Sequence, residues 1–243
     1  MIDFYGDQTR WFIGEVVDLN DPNKLARIKV RIYGIHDDDL ITDDDLPFAQ
    51  VVAPITEGGT NGLGNPLGVQ VNALVFGIFL DGINSQLPLV LGSLPKYEGD
   101  KRDTPSTNKL ARGENTLTKS VSVTGAPSDP YAAVYPNNKV TQTSSGHIIE
   151  IDDTDGAERI HVRHKSGAFV EFHPDGSVVV KTTNVYIDAG TNANVKATNV
   201  NVDGSTVNIT GGTGDVVVNG ISLVNHTHTD NAGLAAGTTS KPN

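Results

Sequence analysis

Two histidines near the end of the chain, His226 and His228 in the string VNHTHTD, are the residues whose type and spacing best suit metal chemistry. Side chains at i and i+2 of a strand share a face, so both imidazoles would point to one side and Thr227 to the other. Neutral imidazole is a common ligand for first-row divalent metals. One chain offers two nitrogens in this way, and three chains meeting on an axis would offer six. Six imidazoles in an octahedron suit iron, nickel or cobalt better than zinc, whose usual site is four-coordinate, and iron is the ion expected here. An H-x-H alone is equally the pattern of two solvated side chains, so its weight depends on whether the chain builds an axis for it to close. Val216, Val218, Val224, His226 and His228 keep one parity while Ile221 and Leu223 fall on the other, which implies a bend or bulge near Gly220.

Other chemical patterns are thinner. HDDDLITDDDLP, residues 36–47, carries six Asp in nine positions but lacks the Gly and terminal Glu of an EF-hand, so it reads as a solvated acidic loop. Ser106 and Lys109 in STNK match the S-x-x-K of serine acyl-transfer enzymes, with no helix predicted to present them. His147, His161, His164 and His173 stand singly among Arg, Lys and Glu, where surface or interface hydrogen bonding is the ordinary expectation. The chain has no cysteine, which removes disulfides, thiolate zinc sites and a cysteine nucleophile together. No catalytic residue is assigned.

The elements that would position His226 and His228 are repetitive. After Ser144, apolar pairs spaced by one residue recur at Val178/Val180, Val185/Ile187, Ala193/Val195, Val200/Val202, Val207/Ile209, Val216/Val218 and Ile221/Leu223, their first members stepping by 7, 8, 7, 7, 9 and 5. Asn, Thr, Asp or Gly turns a corner after each pair, which is the signature of a β-solenoid or a prism with one strand per face. Two small apolar side chains per unit bury little area against the entropy of ordering seven or eight residues, so one chain needs neighbours to close its core and pair its edges. Three intertwined copies would supply both. Strands stacked at about 4.8 Å, some ten per chain, would reach roughly 50 Å along the axis.

Upstream, from Trp11 to Leu94, short apolar runs alternate with Gly, Pro, Asn and Asp, the spacing of a small antiparallel barrel. Strands are expected over residues 12–19, 26–33, 48–52, 69–79 and 87–92. DPNK, residues 21–24, has turn chemistry, and residues 58–68 form a Gly-rich excursion. Residues 96–143 shift to Lys, Asp, Thr, Ser, Asn and Pro and read as an extended linker, with Tyr131, Val134, Tyr135 and Pro136 as anchors. The expected organisation is therefore all-β: a barrel over 1–95, the linker over 96–143, a trimeric prism over 144–228 and a tip extension over 229–243.

Composition narrows the partners. Lys+Arg 18 against Asp+Glu 29 gives a net charge of −11, which disfavours phosphate backbones and anionic lipid, so protein partners are expected and nucleic acid is not. No run approaches the roughly 18–20 apolar residues that span a bilayer, and the start, MIDFYGDQTRWF, has no basic region followed by an apolar one, so no signal peptide is expected.

The strings GEVVDLNDPNKLARIKVRIYGIH, TDDDLPFAQVVAPIT and FGIFLDGINSQLPLVLGSL resemble the oligosaccharide/oligonucleotide-binding (OB) barrel of the central spike, or cell-puncturing, proteins of contractile-tailed phages. YPNNKVTQTSSGHIIEIDDTDGAERIHVRHKSGAFVEFHPDGS resembles the start of that family's spike, and the histidine pair is similar to the apex of short phage spikes, where H-x-H from three chains holds iron. The resemblance implies a homotrimer in the virion's tail baseplate, assembled in the host cytoplasm. Its barrel would dock on the trimeric hub protein and its prism would transiently pierce the host outer membrane when the sheath contracts. A separate cap protein over the tip is a further candidate partner.

The T-even members carry a lysozyme domain of well over a hundred residues between barrel and prism, where this chain has fewer than fifty. No Glu followed at the right distance by an Asp and a Thr in a helical context stands there, and two carboxylates on a flexible strand cannot be held at the separation glycoside hydrolysis needs, so a non-enzymatic spike is expected. The alternatives are the same architecture in a contractile injection or type VI secretion system, and a β-solenoid polysaccharide-degrading tailspike. The tailspike needs a carboxylate cluster in an aromatic-lined groove, whereas from Ser177 onwards Tyr186 is the one aromatic residue.

Overall fold

A computed structural model describes residues 9–60, 68–98, 104–114, 123–127, 131–209, 215–226, 229–230 and 237–238. The chain separates into two compact units, Met1–Val185 and Tyr186–Asn243.

The first unit begins with a closed barrel of β1 (Arg10–Asp18), β2 (Ile28–Ile32), β3 (Phe48–Val51), β4 (Leu74–Phe79) and β5 (Pro88–Leu94). Its order is β1-β2-β3-β5-β4, antiparallel except for the parallel β3/β5 pair, which is the five-stranded connectivity of an OB barrel. Period-two alternation turns Phe12, Val16, Ile28, Val30, Ile32, Val75, Phe79 and Val90 inward, where the Phe12 and Phe79 rings lie 5.0 Å apart. Gly77 lies opposite Phe12 in the β1/β4 register. A Cβ there would sit 2.4 Å from both the Leu89 carbonyl oxygen and Phe12 Cζ, so only glycine lets the ring cross the barrel at that point.

The expected turn at residues 21–24 is organised by one carboxylate. Asp21 accepts from the backbone N–H groups of Asn23 (3.0 Å) and Leu25 (2.8 Å) and from Arg27 through Nη2 (2.7 Å) and Nε (3.1 Å). These bonds hold Lys24 and Ala26 at positive φ. The Arg27 guanidinium, followed by the backbone donors, keeps the Asp21 carboxyl far below the usual carboxylate range. A depressed folded-state pKa stabilises above the unfolded value and loses that contribution as pH falls through the folded one. Asp21→Asn should therefore lower the thermal midpoint by an amount that is constant above about pH 5 and narrows below about pH 4. Calorimetry of both proteins across that range checks it.

The acidic loop wraps onto the outer face of β2. Arg31 pairs with Asp38 (2.8 Å) and Asp43 (2.5 Å), and Lys29 Nζ donates to the carbonyls of Asp43 (3.1 Å) and Asp44 (2.8 Å). Arg27 and Lys29 also lie over the Phe48 ring.

Beyond the barrel, β6 (Tyr97–Glu98) pairs with β7 (Thr104–Pro105), and a strap of residues 105–114 and 131–137 leads into a five-stranded antiparallel meander. Its strands are β8 (Asn138–Gln142), β9 (Ile148–Asp152), β10 (Arg159–Arg163), β11 (Phe169–Phe172) and β12 (Val178–Lys181). Gly146, Gly156, Gly167 and Gly176, all at positive φ, stand in the four connecting turns. The meander thus starts within the segment read as linker, because Asn138 and Val140 pair across to Asp152 and Glu150.

In the second unit, β13 (Val217–Val218) and β14 (Ile221–Ser222) form a hairpin, and β15 (Thr229–Asp230) pairs with β16 (Gly237–Thr238). The parity break near Gly220 is a two-residue turn: Asn219 and Gly220 have φ of 48° and 80°, the Asn-Gly chemistry of a type I′ hairpin. Among the described residues no strand lies between Lys181 and Val217, and Ile187, Val195, Val200, Val202, Val207 and Ile209 are exposed. The expected strands of that stretch do not form within one chain. Each seven- or eight-residue unit carries too little apolar area to offset its own ordering entropy.

Candidate assembly face and metal tip

The two faces of the β8–β12 meander are reversed relative to an ordinary sheet. One face carries Ile149, Ile151, Ile160, Val162, Val170, Phe172, Val178 and Val180, each 37–53% exposed. The cross-strand pairs Ile160↔Ile151, Val162↔Ile149, Ile160↔Phe172, Val162↔Val170 and Val170↔Val180 make it a continuous apolar surface. The other face carries Asn138, Glu150, Asp152, Arg159 and His161, all under 10% exposed. Val178 and Val180, the first apolar pair of the repeat, lie on the open face, and Val179 is the buried residue between them.

The strap covers the polar face. Leu110 is fully buried, and its carbonyl accepts from Asn138 Nδ2 (2.9 Å) and the Tyr131 hydroxyl (3.1 Å). Asn138 Nδ2 also donates to Glu150 Oε1 at 2.7 Å. Val134 N donates to Thr154 Oγ1, and Arg159 lies 5.4 Å over the Tyr131 ring. Burial, then the Glu150 charge, pushes the Tyr131 hydroxyl well above its ordinary pKa. Tyr131 is thus an anchor, as read from the sequence, and Leu110 is an anchor the sequence reading missed.

His161, Glu171 and His173 form a cluster that sequence reasoning also missed. Glu171 accepts from His161 Nδ1 and from His173 Nε2 (2.8 Å), with Arg159 Nε 3.9 Å away. Burial alone would raise the Glu171 carboxyl, but the His161 bond, the Arg159 charge and the His173 bond bring it below its ordinary value. A signal was available in the alternation. Glu150/Asp152, Arg159/His161 and Glu171/His173 occupy the non-apolar parity of three consecutive strands, and such residues stacked on one face must pair with one another. His147 and His164 sit together, ring centroids 4.5 Å apart. Of the S-x-x-K pair, Ser106 Oγ accepts from Lys96 N at the β6/β7 hairpin, and Lys109 stands in the turn beside Leu110.

His226 follows the turn after β14 and does not lie in a strand. Its backbone N–H (3.1 Å) and its Nδ1 (2.9 Å) both meet the Ser222 carbonyl. A carbonyl only accepts, so Nδ1 carries a proton, which is the tautomer of a histidine that ligates through Nε2. Asp215 Oδ1 accepts from Val224 N, and Ser222 Oγ accepts from Asn225 N, which braces the turn. His228 lies outside the described residues. Among the described residues no three His, Cys, Asp or Glu side chains converge on a metal position, so ligation at His226 would draw on more than this turn.

Among the described residues no helix is long and apolar enough to cross a membrane. No family profile matches the chain. It is 33% identical over 268 aligned residues to Protein Gp5 of Vibrio phage KVP40, covering 78% of this chain and 64% of that protein. It is 32% identical over 113 residues to the pre-baseplate central spike protein Gp5 of Enterobacteria phage T4, covering 43% of this chain and 19% of that one. The match therefore spans less than two thirds of either relative's length. The aligned stretch with the KVP40 protein is longer than this chain, so it includes positions present there and absent here. An OB-connected barrel followed by a sheet that leaves an apolar face open thus accompanies a sequence similarity to phage Gp5 proteins, among them a pre-baseplate central spike protein.

Proposed function

We propose that three copies of this chain form the structural central spike of a phage contractile-tail baseplate. It caps the trimeric hub through its barrel and pierces the host outer membrane with its β-prism when the sheath contracts. The role is mechanical and non-enzymatic, and the protein resides in the virion after assembly in the host cytoplasm. The observation that carries this reading is the apolar face of the β8–β12 meander. Eight large apolar side chains stay about half exposed on it while the chain's own strap seals the polar face. At about 25 cal/mol per Å² of apolar area, each gains on the order of 1 kcal/mol from being covered. A second and a third copy are the occupants that would also pair residues 182–209, which form no strand in one chain. The barrel offers an outer apolar band for the hub: Trp11, 64% exposed, pairs across to Ile78, and Ile13 to Phe76. The acidic loop already occupies the β2 face.

Sedimentation of the purified chain with the baseplate hub protein of its own phage tests the docking. A stable complex of one trimer with one hub ring is expected; an intact trimer that fails to bind would contradict the assignment.

At the tip, His226 and His228 from three chains would supply six nitrogens to one iron ion; nickel, cobalt or zinc would meet the same donors less specifically. The Nδ1-protonated ring of His226 fits that role. Wild-type protein should contain one iron per three chains by elemental mass spectrometry, and His226→Ala should contain less than about a tenth of that while remaining trimeric. Full iron content in the variant would remove this residue from the site.

A further inference from the structure

We propose that Asn138, Glu150 and His161 form a second metal site, one per chain, that takes a divalent cation of zinc type beneath the strap. The buried side-chain atoms without a hydrogen-bond partner include Asn138 Oδ1, Glu150 Oε2 and His161 Nε2 on the polar face. Their residues are 3%, 0% and 3% exposed. They belong to one neighbourhood. Asn138 donates to the other oxygen of the Glu150 carboxylate, and Glu150 faces His161 directly across β9 and β10. Residues so paired have Cβ atoms about 4.5–5.5 Å apart.

The chemistry of the three atoms selects the ligand. An amide oxygen and a carboxylate oxygen can only accept. His161 Nδ1 meets an oxygen of the Glu171 carboxylate, an acceptor, so Nδ1 donates, and the tautomer that does so carries its lone pair at Nε2. Three acceptors without a donor cannot satisfy one another, and a water molecule has two protons to offer them. A cation satisfies all three. Charge points the same way: Glu150 and Asp152 are buried and Glu171 nearly so, while Arg159 is the buried guanidinium of that face.

The surroundings have the form that metal-binding histidines require. Glu171 fixes the tautomer of His161, and Asn138 Nδ2 orients Glu150. One imidazole nitrogen and two oxygens, with water as the fourth ligand, suit tetrahedral zinc. The third donor is an amide, so the set has no sequence spacing of the familiar kind. Asn138 also holds the Leu110 carbonyl and the Tyr131 hydroxyl, which would link occupancy to the seating of the strap.

The test uses the full chain, stripped with chelator and equilibrated with zinc. His226→Ala, with the tip disabled, should bind one zinc per chain, and adding Glu150→Gln should reduce that to less than about a tenth. Glu171→Gln should weaken zinc binding about 10- to 100-fold through its effect on His161. Zinc-edge anomalous diffraction from wild-type crystals should show a peak within coordination distance of the three atoms, a readout that does not depend on a variant folding. A solvent peak without anomalous signal at that place, or zinc content unchanged by Glu150→Gln in protein of native mass and circular dichroism, would overturn the site. Neither result bears on the trimer or on the tip.

Discussion

Val162→Asp is expected to convert a three-chain particle into single chains. Val162 lies on β10 between Ile149 of β9 and Val170 of β11, at the middle of the open apolar face, and is 47% exposed in one chain. In an isolated chain the new carboxylate would face water and leave the meander intact. In the closed trimer it would lie in the core without a partner, once per chain, near two others of like charge. Burying an unpaired charge costs several kcal/mol each. Covering the apolar face contributes at most on the order of 8 kcal/mol per chain before entropy is subtracted, and the penalty, raised by repulsion among the three carboxylates, removes the net gain that remains. Light scattering should give the mass of one chain and circular dichroism should retain the barrel and meander signal. A trimeric Val162→Asp would show that copies do not meet on this face.

The second large effect concerns the barrel. Gly77→Val places a Cβ 2.4 Å from both the Leu89 carbonyl oxygen and the Phe12 ring, and neither can yield. The carbonyl belongs to the strand paired on that side, and Phe12 is packed against Phe79. Overpacking of this kind costs about 3 kcal/mol or more, which for a protein of this size lowers the melting temperature by about 6–12 °C. Gly92 is the control on the next strand: nothing lies within 4 Å of its Cβ position, and its φ is not in the left-handed region. Gly92→Ala should leave the midpoint within about 2 °C of wild type. Equal melting of Gly77→Val and wild type would contradict the register that sets Gly77 against Phe12.

The barrel was legible because its strands carry their own instructions. Alternation placed β1, β2, β3 and β5 within a few residues, and only the expected strand 69–79 was too long, because Asn72 adopts positive φ in a turn before β4. Asp21 at the head of DPNK signalled the turn it organises. The meander was legible in its two faces but not in which face a single chain buries. Alternation separates Ile149, Ile151, Ile160 and Val162 from Glu150, Arg159 and His161; that the strap covers the second set is decided by contacts distant in sequence. The strap itself has no periodicity, so Leu110 gave no sign of being buried. Of the tip, the spacing of His226 and His228 could be read, whereas the bond from Nδ1 to the Ser222 carbonyl depends on a turn that pattern alone placed only as a bend.

The central claim is that this chain works as a trimer, and the direct test is the solution mass of the untagged full-length protein by light scattering across a tenfold range of concentration. The account predicts a single species of three times 25.7 kDa that does not dissociate on dilution. A species of 25.7 kDa, with the β8–β12 apolar face open to solvent, would contradict it.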